Sequence, residues 1–330
     1  MTILVTGASG FIGSNLSKAL EDTVKERIVL IDNFSRGKES YLKYLGVKTQ
    51  CVNGDLRCYE TARAFMKNVD TIFHIASRIG GEQFLHGTPE KEFRAFDENI
   101  KIDNNIIRAA FECDIKKIIY TSSVSVYNTK EQYGQIGAYF REEDVDVDKP
   151  LNNMDCEGGY GLNKLTTEYN LKYLREKGIK TGIARIFKAY GPCDDYSPES
   201  GQVVCSLMRK AINYPKESFV VWGGGMNMRN LVYIDDLVDA LIKISNYIDT
   251  KSLTVNLGGK EPWPIQHIAQ EIIKISGKDI KPEFDYTKKG GPKTRIPVLE
   301  RAKKELNWEP TTSLEVGLKK TFDWVKDEIQ

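Results

Sequence analysis

The sequence predicts an α/β fold: a doubly wound parallel sheet, followed by a smaller α/β lobe built mainly from the last third of the chain. Short apolar runs alternate with segments of helical period through the first two-thirds. The first of those runs empties into glycines spaced three and three, Gly7-Ala-Ser-Gly10-Phe-Ile-Gly13. After about residue 188 the strict alternation lapses, and amphipathic stretches are separated by Gly- and Pro-bearing loops.

Residues 2–6 read as the opening strand and the glycines as its sharp turn into a helix. That combination is a dinucleotide cradle of the Rossmann type. Gly7 allows the tight turn, Gly10 lets backbone approach a pyrophosphate, and Gly13 permits close packing of helix on sheet. The unpaired N–H groups at the helix start, around Phe11 and Ile12, hold the anion. The spacing is a variant of the G-x-G-x-x-G fingerprint, and glycines at such intervals also occur in ordinary turns. The next apolar run, 27–32, ends in Asp32, about 20 positions after the glycines, where a carboxylate accepts hydrogen bonds from the adenosine ribose. Asn33 stands beside it. Asp32 also repels a 2′-phosphate, which favours NAD over NADP, with Arg36 near enough to soften the preference.

Further strands are expected at 49–53, 70–75, 115–121 and 180–187, with helices at 59–68, about 87–112 and about 160–177. Asp55 and Leu56 follow the third strand, and Asp55 sits where a side chain reaches the adenine amino group. Ala76 follows the fourth, where a small residue lets a cofactor lie close to backbone. Both fall at carboxyl ends of strands, where open α/β sheets bind ligands. The stretch 128–158 reads as a surface loop leading to the catalytic helix. Beyond it, 217–221 and 253–257 read as short strands, and 235–248, 264–276 and 313–328 as helices. The division expected is 1–187 for the dinucleotide domain and 188–330 for the lobe, with some chain returning to the first.

Composition narrows the classes of function. The 330 residues with 41% hydrophobic content suffice for a substantial core, and a formal charge of +1 with interleaved signs offers no stripe for nucleic acid. Met1 leads directly into the first strand, and no apolar stretch approaches the roughly 18 residues of a membrane span. A cytoplasmic protein without a membrane partner is the expectation. Six scattered cysteines suggest reduced thiols, and His74, His86 and His267 lack neighbours at ligand spacing, so no metal is expected.

The chemistry concentrates in two segments. In Tyr160-Gly-Leu-Asn-Lys164 the two functional residues share a helix face, so the ammonium can favour the ionised phenol. A phenol of ordinary pKa about 10 needs that help to act as a base near neutrality. In Tyr120-Thr-Ser-Ser-Val-Ser-Val-Tyr127, Ser122 or Ser123 projects towards the nicotinamide and can hold the substrate oxygen. Taken singly, each also fits a solvated pair or an ordinary strand-end hydroxyl.

The glycine triplet, Asp32, Asp55, Ser123 and Tyr160/Lys164 occur in the order and spacing of the extended short-chain dehydrogenase/reductases, which the chain resembles from end to end. Further matches are Asn99-Ile-x-x-x-Asn104-Asn105, Arg185-x-x-x-x-Tyr190-Gly191-Pro192, Arg229-Asn-Leu-Val-Tyr-Ile-Asp235-Asp236, Asn256-Leu-Gly-Gly and Leu306-Asn-Trp308-Glu-Pro310. Each resembles the NAD-dependent nucleotide-sugar epimerases, dehydratases and reductases. The resemblance implies that Tyr160 removes the proton of the sugar 4-hydroxyl, that Lys164 binds the nicotinamide ribose and lowers the phenol, and that Ser123 bonds the same oxygen. It adds Asn99 and Ser122 to the cofactor contacts. Arg229 matches an arginine that grips the nucleotide diphosphate, a bidentate task suited to guanidinium. Arg295 reaches the diphosphate or nucleotide, or serves at the surface. A homodimer through the helices at about 99–112 and 160–177 is implied as well.

Departures choose among reactions. Val124 and Ser125 stand where dehydratases carry an Asp-Glu pair, which disfavours loss of the C6 hydroxyl. Ser77-Arg-Ile-Gly80-Gly81 resembles the corresponding segment of GDP-mannose 3,5-epimerase and GDP-fucose synthase and places Gly80 and Gly81 at the sugar. Yet the 3,5-epimerase acid/base pair falls on Ser125 and Gln202, which do not readily remove a carbon-bound proton. Lys188 replaces the usual Asn and faces the diphosphate, an acidic sugar, or solvent. Glu82, Gln83 and His86 line the sugar pocket or lie in a solvated loop. The reading is an NAD-dependent 4-epimerase acting on a UDP-, GDP- or dTDP-sugar by transient oxidation at C4. A C4 dehydrogenase or 4-ketosugar reductase is the alternative, ahead of a 3,5-epimerase or a non-catalytic NAD(H)-binding regulator.

Overall fold

The computed structural model describes residues 1–43, 45–46, 49–134, 137–149, 155–288 and 290–330. Its largest sheet has seven strands: β1 (Thr2–Thr6), β2 (Arg27–Asp32), β3 (Thr49–Asn53), β4 (Thr71–His74), β5 (Lys117–Ser123), β6 (Lys180–Ile186) and β7 (Leu253–Leu257). They lie in the order β7-β6-β5-β4-β1-β2-β3, all parallel. The chain reverses its direction of travel between β1 and β4. Such a switch point opens a crevice at the carboxyl ends of the strands.

Alternation along the strands builds two cores. On β1, Ile3 and Val5 face one layer and Leu4 the other. The first layer holds α1 (Phe11–Thr23) and α6 (Ile234–Tyr247), through Leu16, Leu20, Leu237 and Ile244. The second holds α2 (Tyr59–Phe65), α3 (Pro89–Glu112) and α4 (Gly158–Glu176), through Ala62, Ile106 and Leu171. The start of α3 is set by Thr88, whose hydroxyl accepts from Lys91 N, by Pro89 in the first turn, and by Glu90 and Glu92 at the positive end of the helix.

The structure places three segments differently from the sequence reading. Residues 253–257, read as a strand of the lobe region, form β7 and close the large sheet beside β6. Gly182 on β6 lets α6 come close, since a Cβ there would overlap Ile244. Helix α5 (Val203–Asn213) occupies chain for which no element was expected, and it packs with α7 (Ile265–Ser276) and α8 (Leu314–Ile329). The stretch 128–158 contains a short helix, Thr129–Gly134, and a strand, Tyr139–Phe140, paired with Ile296–Pro297. Residues 135–136 and 150–154 of that stretch lie outside the described chain.

Several of the longer sequence motifs are architectural. Arg185 on β6 is fully buried and pairs with Glu168 of α4 at 2.7 Å. Its remaining donors reach the Tyr127 hydroxyl at 3.2 Å and the carbonyls of Glu142 and Val145 at 3.1 and 2.7 Å. The helix that carries Tyr160 is thereby fastened to the sheet. Trp308 donates from its indole to the Asp236 carbonyl at 3.0 Å, and the Asp236 carboxylate accepts from the Thr311 and Thr312 amides. No helix among the described residues is long and apolar enough to cross a membrane.

Candidate active site

A cavity of about 920 Å³ opens at the carboxyl ends of the strands, running from the glycine turn to the lobe. At its floor Gly7 has φ +68°, and a Cβ there would come within 2.7 Å of the Ala76 backbone. A Cβ on Gly13 would overlap the Gly7 carbonyl. Gly10 begins α1 without any side-chain cap, which leaves amides of the first turn facing the cavity. Asp32 is buried, and its two oxygens accept from the amides of Ser9 at 2.9 Å and Phe34 at 2.8 Å. One carboxylate thus ties the glycine turn to the end of β2, with lone pairs left for a ribose. Phe11, Ile12, Asn33, Leu56 and Ala76 line the same wall. An anion-binding helix start, a glycine floor and a strand-end carboxylate together fit an adenine dinucleotide.

Two cofactor-side residues, Asn99 and Ser122, are placed differently from the sequence reading, and a third, Asp55, keeps its place with a partner. Asp55 lines the cavity, but its carboxylate is held by Arg57 at 2.6 Å, and that hydrogen bond keeps its carboxyl below the usual range. Asn99 is not among the cavity-lining residues. Its carboxamide is taken by Arg78, accepting from N at 2.6 Å and donating to O at 3.0 Å, so it shapes the loop after β4. Ser122 turns its hydroxyl to Glu168, away from the position expected for it, because the strand alternates and this residue faces the buried ion pair.

Ser123, the next residue, faces the cavity. Its hydroxyl and that of Ser77 are polar neighbours of the Tyr160 phenol, which is only 5% exposed. Lys164 lies on the same helix face with Nζ 5.7 Å from the centre of the Tyr160 ring and 2.9 Å from the Thr121 carbonyl. The net shift of the phenol is upward, not the lowering expected beside Lys164. Burial pushes Tyr160 well above its ordinary value. Burial also lowers the Lys164 ammonium, against the carboxylates of Asp103 and Glu168. Asp103 is itself enclosed by His74 at 3.0 Å, Tyr120 at 2.9 Å and Thr167 at 2.8 Å.

The wall opposite the cradle is charged. Arg229 is buried and donates to the carbonyls of Met228 at 2.8 Å and Pro292 at 2.7 Å; burial, then Arg295, lowers it to about 10. Arg295 donates from Nε to Gln132 at 3.0 Å and from Nη2 to Glu157, which settles it in the site rather than at the surface. Lys188 is half-buried and lines the cavity. Burial lowers it to about 8, opposed by Asp194, while burial raises Asp194 to about 7. Among the described residues, no hydrogen bond or ion pair holds the Lys188 ammonium. Gly81 abuts the Gly201 carbonyl, which a Cβ would approach to 2.7 Å, and Gly80, Ser125, Gln202, Glu82, Gln83 and His86 complete this end.

Sequence reasoning missed Glu157 and Asp194. Glu157 is buried three residues before Tyr160, where a charged residue ahead of the Y-x-x-x-K helix was the only available signal. Asp194 follows Gly191-Pro192 and meets Lys188 only through the fold.

Taken together, the switch-point cradle and the adjoining strand-end serine, tyrosine and lysine define a dinucleotide-dependent enzyme of the short-chain dehydrogenase/reductase type. Residues 3–258 match the NAD dependent epimerase/dehydratase family, and the chain belongs to it. It is 26% identical to GDP-mannose 3,5-epimerase of Arabidopsis thaliana, over 100% of this chain and 83% of that protein. It is 28% identical to UDP-glucuronate 4-epimerase of Thermodesulfobacterium geofontis, over 99% of this chain and 97% of that protein. Among solved structures, the UDP-glucuronic acid 4-epimerase of Bacillus cereus in complex with UDP-glucuronic acid and NAD matches with a TM-score of 0.83 at 26% identity, over 99% of this chain and 100% of that one.

Proposed function

We propose that this protein is an NAD-dependent nucleotide-sugar 4-epimerase. The observation that carries the reading is the meeting of Ser123, Tyr160 and Lys164 at the mouth of the glycine cradle, in one cavity with Arg229 and Lys188. NAD, when bound, supplies a hydride acceptor that can return the same hydride and, in its oxidised form, a positive charge beside the phenol. Gly7, Gly10, Gly13 and Asp32 would hold it. Tyr160 takes the proton of the sugar hydroxyl, and Ser123 bonds the same oxygen. Lys164 keeps an ammonium beside the phenol, which offsets part of the cost of ionising it in a buried place. Arg229 and Lys188 face the diphosphate, Arg229 as a guanidinium pre-set by backbone carbonyls and Lys188 as an ammonium whose charge Asp194 supports.

The hydroxyl at position 125 and the absence of an acid at 124 support epimerisation over dehydration. The reading extends to a homodimer through α3 and α4, whose outer faces carry the exposed Phe111 and Tyr173, and light scattering of the purified protein checks it.

The test is to purify the protein, identify the nucleotide that accompanies it, and incubate it with UDP-, GDP- and dTDP-sugars. The expected result is a 4-epimer without net NADH, and a Tyr160→Phe variant slower by about a thousandfold with an unchanged melting temperature. Accumulation of a 4-keto sugar with stoichiometric NADH would replace the epimerase with a dehydrogenase.

A further inference from the structure

Where α3 and α4 meet the sheet lies a buried carboxylate that the proposed reaction leaves unused. Asp103, on α3, is 1% exposed. It has the Tyr120 hydroxyl at 2.9 Å, the Thr167 hydroxyl at 2.8 Å, the Asn163 amide at 3.2 Å and His74 Nε2 at 3.0 Å. Thr6, at the end of β1, fixes the form of that imidazole. Its hydroxyl oxygen accepts from the amides of Ile75 and Ala76, both at 3.1 Å, so its proton is directed to His74 Nδ1 at 2.8 Å. A ring nitrogen that accepts carries no proton, so the proton of His74 sits on Nε2 and the ring is neutral. Every one of these partners of Asp103 is therefore uncharged.

Lys164 is as enclosed as Asp103, with Nζ 2.9 Å from the Thr121 carbonyl and 4.6 Å from the centre of the Tyr120 ring, whose hydroxyl reaches Asp103. Two carboxylates face the ammonium. Glu168 is matched by Arg185 at 2.7 Å, which leaves Asp103 as the carboxylate whose charge Lys164 balances. We propose that Asp103 is a positioning residue of the catalytic centre: it is the buried counter-ion that keeps Lys164 an ammonium beside Tyr160, acting by its charge across the Tyr120 ring.

This rests on the reading of Tyr160 and Lys164 as the catalytic pair. An ammonium enclosed in protein without a counter-ion gives up its proton readily. Burial works to raise the Asp103 carboxyl, but the His74 hydrogen bond and the Lys164 charge overcome it and hold the group ionised. Burial lowers Lys164 in turn, and Asp103, then Glu168, oppose it. The titratable and charged groups around the pair are His74 from β4, Tyr120 from β5, and Tyr160 and Glu168 from α4. Burial first, and Asp103 after it, raise the Tyr160 phenol. One anion thus favours the protonated form of both catalytic groups, and removing it moves both titrations to lower pH.

The test labels lysine with carbon-13 at Cε, assigns Lys164 by the signal lost in Lys164→Arg, and follows that signal with pH in the NAD-loaded protein. Asp103→Asn is expected to lower the midpoint by about one pH unit, and both limbs of kcat against pH should move down with it. Asp103→Ser removes the same charge and decides alone should Asp103→Asn fail to fold. Thr167→Val takes a hydrogen bond from Asp103 and leaves its charge, so it should move the midpoint by about a third as much or less. An unmoved midpoint in the variants that remove the charge overturns the inference. So does an equal displacement in Thr167→Val, which would make packing the cause. Undiminished activity in Lys164→Met would instead remove Lys164 from the reaction, an outcome that leaves these titrations as they are.

Discussion

The two walls of the cavity are built by different means. The cradle works with backbone: amides at the start of α1, glycines that let chain approach chain, and one carboxylate whose oxygens staple the turn to β2. The facing wall works with side-chain charges gathered from distant segments, Lys188 with Asp194, Arg295 with Gln132 and Glu157, and Arg229 in its carbonyl cage. Backbone recognition demands fixed local spacing. Side-chain recognition demands only nearness in space. The first therefore leaves a pattern in sequence, and the second leaves very little.

The change that disturbs both walls most is at Arg185, which fastens the helix they share. Arg185→Met would leave the fully buried Glu168 carboxylate without its cation, and breaking such a pair costs about 3–5 kcal/mol. Urea unfolding should show that loss as a lowered midpoint with an unchanged slope. A variant as stable as the parent would mean that α4 is held by its apolar face alone.

This contrast also explains what could be read in advance. Strands 2–6, 27–32, 49–53 and 253–257 follow from apolar runs, and their observed limits are the same. Yet nothing local tells that 253–257 joins the large sheet, because its partner β6 lies about seventy residues earlier in the chain. Spacing put Tyr160 and Lys164 on one helix face, but not the sign of the phenol's shift, since burial rather than the ammonium decides it. Spacing alone leaves Ser122 and Ser123 as equals and only the resemblance chooses Ser123; the pleat of β5 turns the Ser122 hydroxyl to Glu168. Glu157 and Asp194 belong to no spacing at all.

A substitution confined to the cradle sharpens the comparison. In Gly13→Ala the new methyl meets the Gly7 carbonyl, and overpacking of this kind costs about 1–3 kcal/mol. Cofactor affinity should fall by roughly ten- to a hundredfold, measured on protein stripped of nucleotide, with nucleotide-sugar affinity within about twofold of the parent. Equal losses of both would show that the walls are not independent.

The smallest effect is expected from the charged wall, and it is read with pH. Burial lowers Lys188 and raises Asp194, so the pair titrates as a unit near neutrality and goes from +1 with both groups protonated, through neutral, to −1 as pH rises. A nucleotide sugar keeps its diphosphate charge throughout that range. Its affinity, measured calorimetrically, should therefore weaken roughly tenfold as the solution passes from the acid to the alkaline side of the window. Lys188→Arg keeps the cation and should abolish the alkaline half of the decline, while Asp194→Asn should abolish the acid half. A flat profile in the parent protein would mean that Lys188 does not face the diphosphate, and the charged wall would then rest on Arg229 and Arg295 alone. Since Arg295 is already spent on Glu157, that outcome would make Arg229 the single anchor and predict that Arg229→Met loses nearly all nucleotide-sugar binding.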